Sequence, residues 1–358
     1  MNNYSEIQER LAVIQQQEGE SFVVDDIAMQ EEYQEQFKER PGLAIKILSF
    51  IGGYLASLAF LATIVLSGFY ESIMGITVLG GVCIAVSILF NSRSKTALID
   101  STSISIYLIG IAMFSYGLDR SQIDINVIRV IIILIALSTI SIVRNYIMIF
   151  LSVLILTGCI LNAIVFENFA ELIHLFISLL AVVLTYWIVG EAKIITSHRK
   201  LSEVYNPVRI GLLLSFIISL VFIGKSDMLP IENVPIWLSS ISTIGCTLFV
   251  LSRLSNILNV QQGKDTFMMY AFTLVVLLPT ANSPSISGSI LILLLSFMVR
   301  FIPGIVLGLI ALVYFIGQYY YDLNTTLLVK SILLFASGFF FIMLYLFITY
   351  KMKSDEKI

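Results

Sequence analysis

Charge is scarce in this sequence. Asp, Glu, Lys and Arg together make up 13% of the 358 residues, about half the share usual in a soluble globular chain. Hydrophobic residues reach 58% and the mean hydropathy is +0.94, which leaves too little polar surface to wrap a soluble two-domain fold. A soluble enzyme is therefore excluded. Cysteine is limited to Cys83, Cys159 and Cys246, each in a separate apolar run, so they read as small core residues and not as a disulfide framework or a thiolate metal site. Only His174 and His198 are histidines. The GxxxxGK(S/T), CxxC, HExxH and GxSxG patterns are all missing, so phosphate-loop, dithiol, zinc-protease and serine-hydrolase chemistry lack their residues. No enzymatic activity, cofactor or metal is expected. No basic block is present and the net charge is −3, so nucleic acid is not an expected partner.

What fills the chain is apolar runs. Twelve segments stand out, at about 44–67, 72–90, 102–117, 126–143, 146–166, 169–189, 208–224, 235–251, 266–280, 285–299, 301–317 and 325–349. They are continuous, whereas membrane strands alternate over about 9–11 residues, so they predict helices. The expected fold is all-α: a polytopic transmembrane bundle of about 12 helices, lying in a lipid bilayer. The third, ninth and tenth segments are near or below the ~17 residues that a span requires. Pro279, Asn282 and Pro284 interrupt the ninth and tenth, which are either two spans or a re-entrant pair, giving ten or twelve crossings. The connection at about 190–207 is the longest between segments and divides them into two sets of six, the layout of major-facilitator transporters. The loop after the second segment, NSRSK, lacks that superfamily's Gly-Asp-Arg-rich signature, and the halves show no repeat.

Residues 1–43 form an acidic prelude with helical spacing at Ile7, Leu11 and Ile14, residues 44–349 the transmembrane domain, and 350–358 a tail. The prelude is too polar for a cleaved signal, so the first apolar run is expected to act as an uncleaved targeting segment. With both termini cytoplasmic, every basic residue except Arg120, Arg129, Lys225 and Lys330 falls on the cytoplasmic side, as the positive-inside rule requires. The prelude then shares a compartment with Lys193, Arg199 and Lys200, against which it is expected to dock. Trp187 and Trp237 are placed near segment ends as interfacial rings. Gly52, Gly53, Gly80 and Gly81 read as helix-packing positions.

Ionisable residues inside lipid cost several kcal/mol and each requires a reason. Lys330 falls about 7–8 Å into the last segment; it pairs with Asp322 or snorkels to the headgroups. Glu171 and His174 stand at i and i+3 on one helix face. They form a polar or proton-titrating pair within the bundle, or a solvated pair at its edge. A di-metal site needs a second such motif, which is missing. Arg129 opens the fourth segment with Asp124 nearby. These five residues, Lys330, Asp322, Glu171, His174 and Arg129, are the candidate intramembrane polar or partner sites.

The stretch GQYYYDLNTTLLVKSILLFASG (Gly317 to Gly338) and the opening RPGLAIKILSFIGGYLASLAFL (Arg40 to Leu61) resemble the bacterial membrane family catalogued as domain of unknown function 4401. The resemblance implies a multi-pass inner-membrane protein of Gram-negative bacteria. It also implies a membrane partner, such as a small anchored protein with a Gly-Asp-Tyr…Leu-Tyr motif, and supplies no catalytic residue. The expected role is a non-catalytic, partner-binding component of a membrane assembly. The alternative is a secondary transporter or permease for a small solute, favoured by the broken Pro279–Pro284 element and by Lys330.

Overall fold

The computed structural model describes residues 71–93, 97–166, 172–197, 199–224, 236–257 and 264–322, with scattered positions at 52–68 and 328–342. Every element within them is helical: α1 (Ile73–Arg93), α2 (Ala97–Arg120), α3 (Ile125–Ile142), α4 (Tyr146–Phe166), α5 (Leu172–Val189), α6 (Glu191–Ser197), α7 (Arg199–Gly224), α8 (Ile236–Ile257), α9 (Lys264–Leu277), a 3-10 turn (Leu278–Asn282), α10 (Pro284–Met298) and α11 (Ile302–Asp322). Ten of the predicted segments fall on these helices. Among the described residues, eight helices are long and apolar enough to cross a membrane: α1 to α5, α7, α8 and α11. The first and last segments, the prelude, its docking and the tail lie outside the described residues, apart from the scattered positions.

The distribution of polarity is inverted relative to a soluble fold. Thr139, Ser152, Ser219, Ser239 and Thr243 are buried, while Leu134 and Val313 are 60% and 66% exposed. That is what a bilayer selects, because hydroxyls hold helices together where lipid matches the apolar exterior. The main core surrounds α5, whose Ile173, Ile177, Leu180, Ala181, Leu184 and Ile188 are all buried against α4, α7, α8 and α10. At the other side of the bundle α1 and α2 pack backbone to backbone. An added Cβ on Gly80 would lie 2.6 Å from the Phe114 nitrogen, so the approach depends on the absent side chain. Gly52 has nothing within 4 Å of a Cβ among the described residues, Gly81 meets only the Phe114 ring at 3.8 Å, and Gly53 lies outside the described residues, so among those described the packing role rests on Gly80.

Short polar turns set the helix ends. Asp124 caps α3, accepting from the Asn126 N–H at 2.7 Å. Asn145 does the same for α4, accepting from Ile147 and Met148 at 2.9 and 3.2 Å. α10 closes through Arg300 in the left-handed region (φ 53°), with the Phe301 N–H donating to the Ser296 carbonyl at 2.8 Å.

The predicted connection at 190–207 is corrected by the structure, which makes it helical as α6 and the start of α7. Its polar residues are good helix formers, and a solvated helix has no apolar run to mark it. Pro207 sits inside α7 and removes one rung of its ladder. Trp187, half-buried two residues before the end of α5, is held by the neighbouring helix. Its indole N–H donates to the Tyr205 carbonyl at 3.3 Å and the two rings stack at 6.0 Å. Trp237 is 62% exposed at the start of α8.

Candidate functional site: a hydroxyl network around a buried histidine

α9, the 3-10 turn and α10 form a broken hairpin. Pro279 and Pro284 both lack an N–H, and the chain between them tightens into a single 3-10 turn. At about 1.5 Å per residue the arms are about 21 and 22 Å long, shorter than a bilayer's hydrocarbon core of about 30 Å. The apex packs about one turn below the ends of its neighbours. Ser240, fifth in α8, donates to the Ala281 carbonyl at 2.5 Å, and Ser285 donates to the carbonyl of Leu220, one turn before the end of α7, at 3.0 Å.

Beside this apex the first turns of α8 act as a hub. The sequence LSSIST places Ser239, Ser240, Ser242 and Thr243 on adjoining faces, and each reaches a different neighbour. Ser239 Oγ bonds His174 Nδ1 of α5 at 2.8 Å. Ser242 donates to Ser178 Oγ at 2.9 Å, and Ser178 in turn donates to the His174 carbonyl at 2.7 Å. Thr243 shares a 2.8 Å bond with Ser287 of α10. α5, α8 and α10 are thus joined by neutral hydroxyl bonds within the apolar bundle.

His174 is 0% exposed, which removes the solvated reading of this residue. Its Nε2 has no hydrogen-bond partner among the described residues. Hydroxyls both donate and accept, so Ser239 suits either imidazole tautomer, and Nε2 presents a donor or an acceptor accordingly. An unpartnered imidazole nitrogen of this kind can take up or give up a proton.

Glu171 and Lys330 lie outside the described residues, and Asp322 is the last residue of α11. Arg129 is buried (7% exposed) between α3 and α4. Its Nε donates to Asn162 Oδ1 at 3.1 Å and its Nη1 to Asn126 Oδ1 at 2.7 Å. It lines a cavity of about 550 Å³ between α2, α3 and α4. Among the described residues, no group of three or more His, Cys, Asp or Glu is placed to hold a metal ion.

Residues 42–351 match the model of the family described as domain of unknown function (DUF4401). The chain belongs to this family. No curated protein and no solved structure matches it.

Two features of this DUF4401 chain are not legible in its sequence. The hydroxyl hub is visible as LSSIST and SPSISGS within apolar runs, but both look like tolerated small residues until their partners are known. The second is a clasp at the opposite end of the bundle. There Arg209 lies over two rings, its guanidinium carbon 3.9 Å from the Phe301 ring centroid and 5.1 Å from that of Tyr205. It also pairs with Glu191 at 3.3 Å and donates to Asn206 at 2.7 Å. Nearby Arg144 pairs with Glu203 at 3.4 Å. In the sequence Arg209 is only one more positive-inside residue.

Proposed function

We propose that this DUF4401 protein is a non-enzymatic, multi-pass permease of the bacterial inner membrane that binds a small polar solute or a proton at the His174 network. The observation that carries this reading is the buried imidazole with Nε2 unpartnered among the described residues, set beside a broken helical hairpin. Discontinuous helices and buried polar groups at their break are the usual ingredients of a transporter site. The hairpin apex is held to α7 and α8 by the bonds of Ser240, Ser285 and Ser287, each worth about 0.5–1.5 kcal/mol net. A ligand that replaces them at similar strength moves the apex at little cost.

The test is flux in proteoliposomes under an imposed pH gradient, with a panel of amino acids, sugars and organic acids. Wild type transports at least one of them, and His174→Leu abolishes the flux while the purified protein stays folded, with about 1–3 kcal/mol lost with the Ser239 bond. Wild type without flux for any of them refutes the permease.

A second reading, a non-catalytic component of a membrane assembly, rests on α11. Ile302, Val306, Leu309 and Val313 lie on one face at helical spacing and are 50–72% exposed. Lipid or a small membrane-anchored partner would cover that stripe. A stoichiometric partner that survives affinity purification and is lost on Leu309→Trp favours the assembly.

A further inference from the structure

The cavity beside Arg129 opens at the end of the bundle where α2 and α4 finish and α3 begins. Its mouth carries Asp119 and Tyr116, and Tyr116 is 45% exposed and accepts from the Arg120 Nε–H at 3.0 Å. Deeper down the lining turns apolar, with Ile111, Ile128, Ile132 and Ile155. Ile155 is eleven residues from the end of α4, so the cavity reaches about 16 Å below the helix ends. Arg129 sits about 6 Å below the start of α3. Its guanidinium plane is fixed by Asn126 and Asn162, and such a fork of N–H donors suits a phosphate. Gly158 lies in the lining, and nothing stands within 4 Å of where its Cβ would be. The missing side chain keeps the apolar part of the cavity open.

We propose that this cavity binds one membrane phospholipid bearing a primary ammonium headgroup. One acyl chain fills the space beside Gly158 and Ile155, the phosphodiester meets Arg129 and the ammonium meets Asp119. Each half of the lining excludes a different alternative. A water-soluble phosphate leaves the apolar depth unfilled. A purely anionic lipid places no positive charge against the Asp119 carboxylate. The volume, about 550 Å³, is that of a small-ligand pocket, room for one acyl chain and the phosphodiester but not for the second chain, which stays in the bilayer.

The experiment is native mass spectrometry of the full chain released from nanodiscs holding equal amounts of ethanolamine and glycerol phospholipids. Wild type retains one ethanolamine phospholipid per chain in preference to the glycerol lipid. Gly158→Phe fills the apolar space and loses the retained lipid, while Gly158→Ala, which leaves room, keeps it. Asp119→Asn removes the headgroup preference, and Arg129→Gln weakens retention of both lipids by about 10–100-fold, the loss of one charge-assisted bond. Equal retention of the two headgroups by wild type, or wild-type retention by Gly158→Phe, overturns the proposal. Because the Gly158 position has open space around it, that variant keeps the question answerable even if Arg129→Gln fails to fold.

Discussion

The α1–α2 contact and the Arg129 cavity together allow one substitution to be tried in two surroundings. Gly80→Ala and Gly158→Ala make the same chemical change in the middle of an apolar helix. In both, replacing glycine gains about 0.5–1 kcal/mol of helix stability. At Gly158 that is all that happens, since no atom lies within 4 Å of the new methyl. At Gly80 the methyl would lie 2.6 Å from the Phe114 nitrogen, 2.9 Å from its Cα and 3.0 Å from the Gly110 oxygen. These are backbone atoms that no rotamer change can move aside, so the helices must separate and the packing around them loosens. Overpacking of this kind costs about 1–3 kcal/mol. The helix term cancels between the two variants, so their difference isolates the packing term. Gly158→Ala should be stabilised by about 0.5–1 kcal/mol and Gly80→Ala should fall about 1–3 kcal/mol below it. Equilibrium unfolding in mixed micelles of dodecyl maltoside and sodium dodecyl sulfate measures both. A Gly80→Ala protein as stable as Gly158→Ala would refute the close approach of α1 and α2.

Three further outcomes are open to the same unfolding measurement. Arg300→Gly should stabilise the protein by about 1 kcal/mol, because the left-handed φ of 53° is a steric burden only for a residue with a Cβ. Tyr107→Phe should destabilise it by about 1 kcal/mol. The Tyr107 hydroxyl, on a residue 0% exposed, bonds Thr139 and Ser152 at 3.3 and 3.0 Å and so ties α2 to both α3 and α4. Arg209→Lys should lose about 1–3 kcal/mol despite keeping its charge, since an ammonium neither stacks on Phe301 and Tyr205 nor spans Glu191 and Asn206 together.

Helix positions are legible in the sequence because apolar length is a local property, and so is the break between Pro279 and Pro284. The partners of the polar residues are not. His174 and Ser239 are separated by 65 residues, and Arg129 and Asn162 by 33. Nothing in the local pattern distinguishes Ser239 from any other serine in an apolar run, or Asn162 from any polar residue near a helix end. Charge marks out Arg129 and His174, but the hydroxyls that give His174 its surroundings carry no such mark. In a membrane core, neutral groups carry much of the specific pairing, so a search for charges alone misses it.

The two ends of α10 are held by different physics, and this bears on which part of the hairpin moves. Its last residues lead into Arg300 and Phe301, where the ring is pinned under Arg209 and the Phe301 N–H is bonded to Ser296. Cation–π stacking and an ion pair on one buried guanidinium reinforce each other there. Its first residues are held through Ser285 and Ser287 by neutral hydroxyl bonds, next to a 3-10 turn with weaker hydrogen-bond geometry. The apex is therefore the softer end, and on the permease reading proposed above an opening there would expose the His174 network without disturbing the clasp. Hydrogen exchange in nanodiscs should show amides of residues 280–288 exchanging faster than those of 295–305. Thr243→Val, which removes the bond to Ser287, should widen that gap by speeding the apex alone. Faster exchange at 295–305 in the wild type would place the hinge at the Arg209 end and remove the structural basis for access at His174.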